Sequence, residues 1–334
     1  MREVVFVKKN KDKWRSYEEI LGGNTYPGSK ILTEIYLDLT DDLAYANTYY
    51  PESDVSRYLH QLAGQAHRKI YTTRKESVNS IWHFYSVSFP AFFYKYRKYL
   101  LISFFVFTIF FLIGAFSAAH DGNFVRLILG DEYVDKTLKN IHKGDPMAIY
   151  KQKNQMDMFL GITINNIKAS LATFIYGLLF GLGTIYSLMY NAIMLGSFQY
   201  FFYDQGVLGE SLKTIWIHGT IEIFAIIVAG AAGFVLASGI LLPGTYTRKE
   251  SFIIKARHGL KIVLSTLPFF IIAGFLESFV TRHNDMPLIL SIIIIIGSFV
   301  GMIYYYFILP YKIHQKNKHY EYRKIKISKS KDHQ

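Results

Sequence analysis

The chain is 334 residues long, 51% apolar and 17% aromatic, yet carries a formal net charge of +12 from 37 basic against 25 acidic side chains. It has no cysteine, which excludes disulfides, thiolate metal sites and cysteine nucleophiles. The basic excess clusters beside long apolar runs, the pattern of the cytoplasmic flanks of membrane segments, so nucleic acid is not an expected partner.

The first 80 residues read as a soluble helical domain. The start, MREVVFVKKNKDKW, lacks the apolar run of a cleavable signal. A short helix over Lys11–Leu21 ends at Gly22-Gly23, a plausible C-cap. Ile31, Ile35, Leu39, Leu43 and Ala46 recur at helical spacing, with Asp38, Asp41 and Asp42 on other faces. After Pro51, Ser53 can cap a helix carrying Val55, Leu59, Leu62, Ala66 and Ile70. The last two helices predict an antiparallel hairpin, too small to be more than marginally stable alone.

Residues 81–98 crowd Trp82, Phe84, Tyr85, Phe89, Phe92, Phe93 and Tyr94 in front of Lys95, Arg97 and Lys98. Aromatic rings favour the headgroup level and basic groups the anionic leaflet, so an interfacial elbow bent at Pro90 is expected. Packing of these rings on the soluble hairpin is the alternative.

Residues 99–310 form the membrane domain. Leu100–Ala119 and Leu288–Leu309 hold no charge and are long enough for the roughly 30 Å hydrocarbon core. Asp121–Lys168 is polar, with acids and bases nearly balanced. Further spans are expected over Ala169–Met189, Ile215–Leu242 and Ile262–Val280. Asn191–Tyr203 is apolar but short. If it crosses, the loop holding Arg248, Lys249, Lys255, Arg257 and Lys261 lies on the same side as both termini, as the positive-inside rule requires. If it only dips, that loop is forced outside. The fold class is therefore all-α: a multi-pass transmembrane bundle of about six spans, the third short or broken, with an N-terminal cytoplasmic helical hairpin. The tail, 311–334, carries Lys312, Lys316, Lys318, Arg323, Lys324, Lys326, Lys329 and Lys331, a surface for anionic lipid headgroups.

His218 and Glu222 lie four apart inside a span, on one helical face. Ionisable groups in a bilayer usually face the bundle interior and find partners there, and Glu277 near the end of the fifth span could join them or face water. Two readings stay open: a hydrogen-bonded network that sets helix register, or a proton or cation site. The pair also has the geometry of two metal ligands on a helix, but no third ligand is evident and HExxH is absent, so no metal or cofactor is expected. On the same face Ala225, Ala229, Gly233 and Ala237 place a small residue every fourth position, as do Gly177 and Gly181 on the second span. Such stripes allow close helix packing, within the chain or across a homo-oligomer interface. The amides Asn165, Asn166 and Asn191 are placed at span ends, where they could cap helices or serve broken ones. No GxSxG elbow and no GxxxxGK[ST] loop is present, so catalysis is not expected.

Several stretches carry a family resemblance. They are FVKKNKDKWRSYEEIL (Phe6–Leu21), YPESDVSRYL (Tyr50–Leu59), Asn165-Asn166 and GLLFGLGTIYSLMYNAIMLG (Gly177–Gly196). The sharpest is HGTIEIFAIIVAGAAGFVLA (His218–Ala237), followed by PGTYTR, with Pro243, Gly244 and Arg248, and FIIAGFLESFVT (Phe270–Thr281). Together they make the chain similar to the stage II sporulation protein M (SpoIIM)-like family. The resemblance implies an integral protein of the bacterial cytoplasmic membrane and, after the namesake, a non-catalytic scaffold that works with peptidoglycan-cleaving partners. The long N-terminal domain and polybasic tail depart from the namesake. A small-solute or ion transporter using the His/Glu pair is the competing class.

Overall fold

A computed structural model describes residues 3–23, 29–71, 78–146, 148, 154–281 and 286–316, which fold into two units divided at Val78 and Asn79. All the regular elements among the described residues are helical.

The N-terminal unit has three helices, α1 (Glu3–Gly22), α2 (Ser29–Tyr49) and α3 (Asp54–Tyr71). The hairpin expectation understates it: α1 is a full 20-residue helix whose Phe6, Trp14 and Leu21 complete the core. Leu32, Ile35, Leu39 and Ala46 of α2, with Leu59, Leu62 and Ala66 of α3, supply the rest, while Ile31 is 46% exposed. The buried stripe of α2 thus starts one residue later than the sequence pattern suggests. Charged groups join the helices at the rim. Trp14 Nε1 donates to Asp42 Oδ2 at 2.7 Å, and Lys13 pairs with the same carboxylate at 2.7 Å. Tyr17 donates to Asp38 at 2.7 Å; partial burial first, then that bond to a carboxylate, push its phenol up to about 12. The end of α1 is capped from another helix: Lys69 Nζ donates to the carbonyls of Leu21 (2.8 Å) and Gly23 (2.7 Å), placing a cation on the negative helix terminus. Ser53 caps α3 through the Ser56 amide at 3.2 Å.

In the membrane unit, α4 (Ile81–His120) runs 40 residues. The expected elbow is helix instead. A π-helical turn at Phe84–Ser88 precedes Pro90, and the widened turn accommodates the proline without ending the helix. Phe89, Phe93 and Tyr96 are fully buried, the first two meeting Tyr306 edge-to-face and Tyr96 packing on Phe92 and His258, so these rings are core within this unit; Trp82 remains 75% exposed. Two short amphipathic helices follow, α5 (Gly122–Leu129) and α6 (Asp131–His142), tied by Arg126 to Asp131 (3.1 Å) and Asp135 (2.8 Å).

Next come α7 (Gln155–Leu178) and α8 (Leu182–Asp204). The sequence placed the break after Met189 and a short segment beyond it. The structure breaks the chain at 179–181, where Phe180 (φ 55°) and Gly181 (φ 86°) take left-handed conformations, and α8 is an unbroken 23-residue helix. At 1.5 Å per residue that is about 35 Å, a full bilayer. Because α7 begins at Gln155, Asn165 and Asn166 lie within it rather than at a span end, and Asn191 lies within α8; the cap of α7 is Asn154. The last three helices are α9 (Leu208–Leu241), α10 (Arg248–Val280) and α11 (Leu288–Lys316). Among the described residues α4, α7, α9, α10 and α11 are both long and apolar enough to cross a membrane; α8 qualifies by length and is more polar.

The buried α9 is the hub, with Ala225, Ala229, Gly233 and Ala237 all inside the core. The predicted small-residue stripes act within the chain. A methyl group on Gly177 would fall on the Gly233 carbonyl, one on Gly196 on the Phe111 carbonyl, and one on Gly114 within 2.6 Å of the Ile193 oxygen. Hydroxyls reinforce these contacts: Ser103 donates to the Ile227 carbonyl at 2.7 Å and Thr184 to that of Thr173 at 2.9 Å. Gly181 belongs to the turn instead, with Ala237 Cβ as its nearest neighbour. Pro243 and Gly244 (φ 66°) form the turn into α10, and Arg248 is its first residue, behind a Thr247/Glu250 capping box. The tail beyond Lys316 lies outside the described residues.

The separate core of the first unit carries a prediction. Residues 1–78 expressed alone should melt cooperatively by circular dichroism, and Leu39→Ala should lower their stability by about 2–5 kcal/mol. A gradual, non-cooperative melt would show that the three helices do not share a core.

Candidate functional site

Three helices converge on one polar cluster inside the membrane unit. His218 and Glu222 come from successive turns of α9, Asn166 from the middle of α7, and Glu277 and Thr281 from the end of α10. The α10 end is not a regular helix. Leu276–Val280 form a π-helical turn, closed by the Thr281 amide donating to the Leu276 carbonyl at 2.8 Å. Glu277 and Thr281, four apart, both reach His218 from this turn, and such turns recur at functional sites.

The contacts are specific. Asn166 Nδ2 donates to Glu222 Oε1 at 2.6 Å. His218 Nδ1 and Thr281 Oγ1 share a hydrogen bond of 3.1 Å, which turns Nε2 toward Glu277 Oε2 at 3.8 Å. One ligand-type atom from each of His218, Glu222 and Glu277 lies within 4.8 Å of the others. His218 is 4% exposed and Glu277 8%, while Glu222 is partly buried. A cavity of about 450 Å³ adjoins them, walled by Tyr190 and Asn191 of α8 and by Ile128, Leu129 and Tyr133 of α5 and α6. Two like charges 4.8 Å apart, the outer bound for this cluster, repel by about 3.5 kcal/mol at an effective dielectric of about 20, a repulsion that a proton or a cation would relieve.

The structure thus unites His218, Glu222 and Glu277 and supplies the third ligand-type group that spacing alone did not reveal. Asn166 belongs to the cluster through its bond to Glu222. Asn165 is exposed, and Asn191 lines the cavity while donating to the Ser187 carbonyl at 2.8 Å. Pro243, Gly244 and Arg248 lie at the opposite end of α9 from its His218 and take no part. Thr281 was not singled out from sequence; its position four residues after Glu277 was the available signal.

The site sits beside a close helix contact. A Cβ on Gly274, one turn before Glu277, would strike Thr163 Oγ1, one turn before Asn166. This contact sets how far the α10 carboxylate stands from α7. Removing the Asn166–Glu222 bond should therefore be measurable. In a double-mutant cycle with Asn166→Ala and Glu222→Ala, unfolding of the purified protein in mixed micelles should give a coupling of about 0.6 kcal/mol, up to about 1.7. Glu222→Gln alone should be mild, because its amide oxygen still accepts from Asn166. Strict additivity in the cycle would exclude the bond.

Comparison with known families gives two matches. The family described as stage II sporulation protein M matches residues 103–282, a stretch holding every member of the polar cluster, and a domain of unknown function (DUF8413) matches residues 4–72. No curated protein and no solved structure matches the chain.

Proposed function

The chain belongs to the stage II sporulation protein M family of membrane proteins, and from that premise we propose that it is a scaffold or complex subunit of the bacterial cytoplasmic membrane that gathers partners of cell-envelope remodelling. The observation that carries this reading is the division into two units with separate cores, the second holding the helices long and apolar enough to cross a membrane. A three-helix unit joined in sequence to a membrane bundle suits a protein that gathers partners at the membrane. The close backbone contacts of α9 with α7, and of α4 with α8, also leave the bundle little freedom for the rocking motions of alternating access.

In the proposed topology six helices cross, α8 included, and both termini are cytoplasmic. Lys95, Arg97 and Lys98 at the start of the first apolar run, the basic first half of α10, and Lys312 with Lys316 at the end of α11 then all face the cytoplasm. The basic tail would reach anionic headgroups from the same side.

A second reading, transport of an ion or small solute, is favoured by the cavity beside Glu222. Purified protein in proteoliposomes separates the two. The scaffold reading predicts no ion or solute flux above empty vesicles, together with cytoplasmic signals from reporters fused at Met1, after Pro243 and at Gln334. In the native host it predicts crosslinks from residues 1–78 to envelope proteins. Flux that Glu222→Gln removes would overturn it, and a periplasmic signal after Pro243 would overturn the six-span topology.

A further inference from the structure

We infer that His218, Glu222 and Glu277 form a binding site for a divalent transition-metal ion of the zinc class, with a fourth coordination position open to the adjoining cavity. The donor set is one imidazole nitrogen and two carboxylates, three protein ligands with room for water, which is the ligand count of open zinc sites and uses ligand types that zinc accepts. An imidazole ligand selects against calcium and magnesium, which take all-oxygen shells, and in favour of zinc, iron, cobalt or nickel.

The geometry supports an ion rather than a direct side-chain network. His218 Nε2 and Glu277 Oε2 face each other at 3.8 Å, too far for a hydrogen bond and close to the separation of two ligands on one ion. Glu277 is buried, with its side chain 11% exposed, points into the cluster, and takes no hydrogen bond from any described residue. The three donor atoms spread over at most 4.8 Å; tetrahedral ligands with bonds of about 2.0–2.1 Å stand about 3.4 Å apart, so binding draws the carboxylates inward by up to about 1.4 Å.

Each of two ligands is also held from behind. When His218 Nδ1 donates to Thr281 Oγ1, the Nε2 lone pair is directed at the carboxylates, and the Asn166 Nδ2 amide fixes Glu222 by donating to its Oε1. Outer partners of this kind fix tautomer and orientation in metal sites. The charge balance agrees: a neutral imidazole and two carboxylates sum to −2, which one divalent cation neutralises inside the bilayer. Such an ion would tie α9 to the end of α10.

The test uses the full chain in detergent, with any affinity tag removed, and Zn²⁺ and Co²⁺ as probes. Wild-type protein should bind one tight equivalent, and the Co²⁺ form should show the visible absorption of a four-coordinate site. His218→Ala and Glu277→Gln should abolish that equivalent and the band. Thr281→Val, which keeps the shape and removes only the bond to the ring, should weaken binding by about 10–100-fold. His258→Ala, a histidine remote from the cluster and bonded to Tyr96, should change nothing. No tight equivalent in the wild type would overturn the proposal, as would binding unchanged in Glu277→Gln. Thr281→Val remains the readout should the ligand variants fail to fold.

Discussion

A carboxylate inside a bilayer has no bulk water to turn to, so its environment must be supplied by neighbouring helices and the cavities between them. This constraint governs the membrane unit. Two glutamates and a histidine from α9 and α10 stand within 4.8 Å of one another, and they can do so only because α7, α9 and α10 are held at near-backbone distance. Glycines and hydroxyl side chains provide that approach: Gly233 admits Gly177, and Gly274 admits Thr163. Bulk hydrophobicity contributes little to helix association in lipid, where the tails are as apolar as the side chains, so close packing and interhelical bonds carry the assembly.

The same logic explains the π-helical turns. The turn at Leu276–Val280 lies where Glu277 and Thr281 both meet His218. At the opposite sequence end of the unit, the π turn at Phe84–Ser88 lets α4 continue past Pro90, and the one at Tyr304–Ile308 lies where Tyr306 enters the aromatic core. Tyr306 also shares a hydrogen bond with Ser265 at 3.0 Å, so its hydroxyl stays satisfied within that core.

Much of this was legible in the residues. Uncharged runs such as Leu100–Ala119 and Leu288–Leu309 state their membrane role by length alone, and the spacing of His218, Glu222 and the small residues after them fixes one face of α9. What stayed hidden depends on contacts distant in sequence. The break at 179–181 is made by Phe180 and Gly181 inside an unbroken apolar run, where hydropathy has no signal. Asn166 looked like a capping residue because Lys168 and the polar stretch before it suggested that the span had not yet begun. The core role of Phe89, Phe93 and Tyr96 was obscured because aromatic rings suit a headgroup belt and a helix interface equally. In the N-terminal unit, α1 is rich in lysine along Lys8–Lys13, which masked Phe6 as a core residue.

The central claim is that α7 and α10 meet at Thr163 and Gly274, one turn from Asn166 and Glu277, and so assemble the polar cluster. The chain's lack of cysteine makes this directly measurable. A Cβ at Gly274 lies 3.5 Å from Thr163 Cβ, within the span of about 3.5–4.5 Å that a disulfide bridges. The double variant Thr163→Cys/Gly274→Cys, oxidised under mild conditions in native membranes, should form an intramolecular disulfide. The pair Thr163→Cys/Gly297→Cys, whose second position has no neighbour within 4 Å, should not. Failure of the first pair to link while both thiols remain reactive would contradict the account.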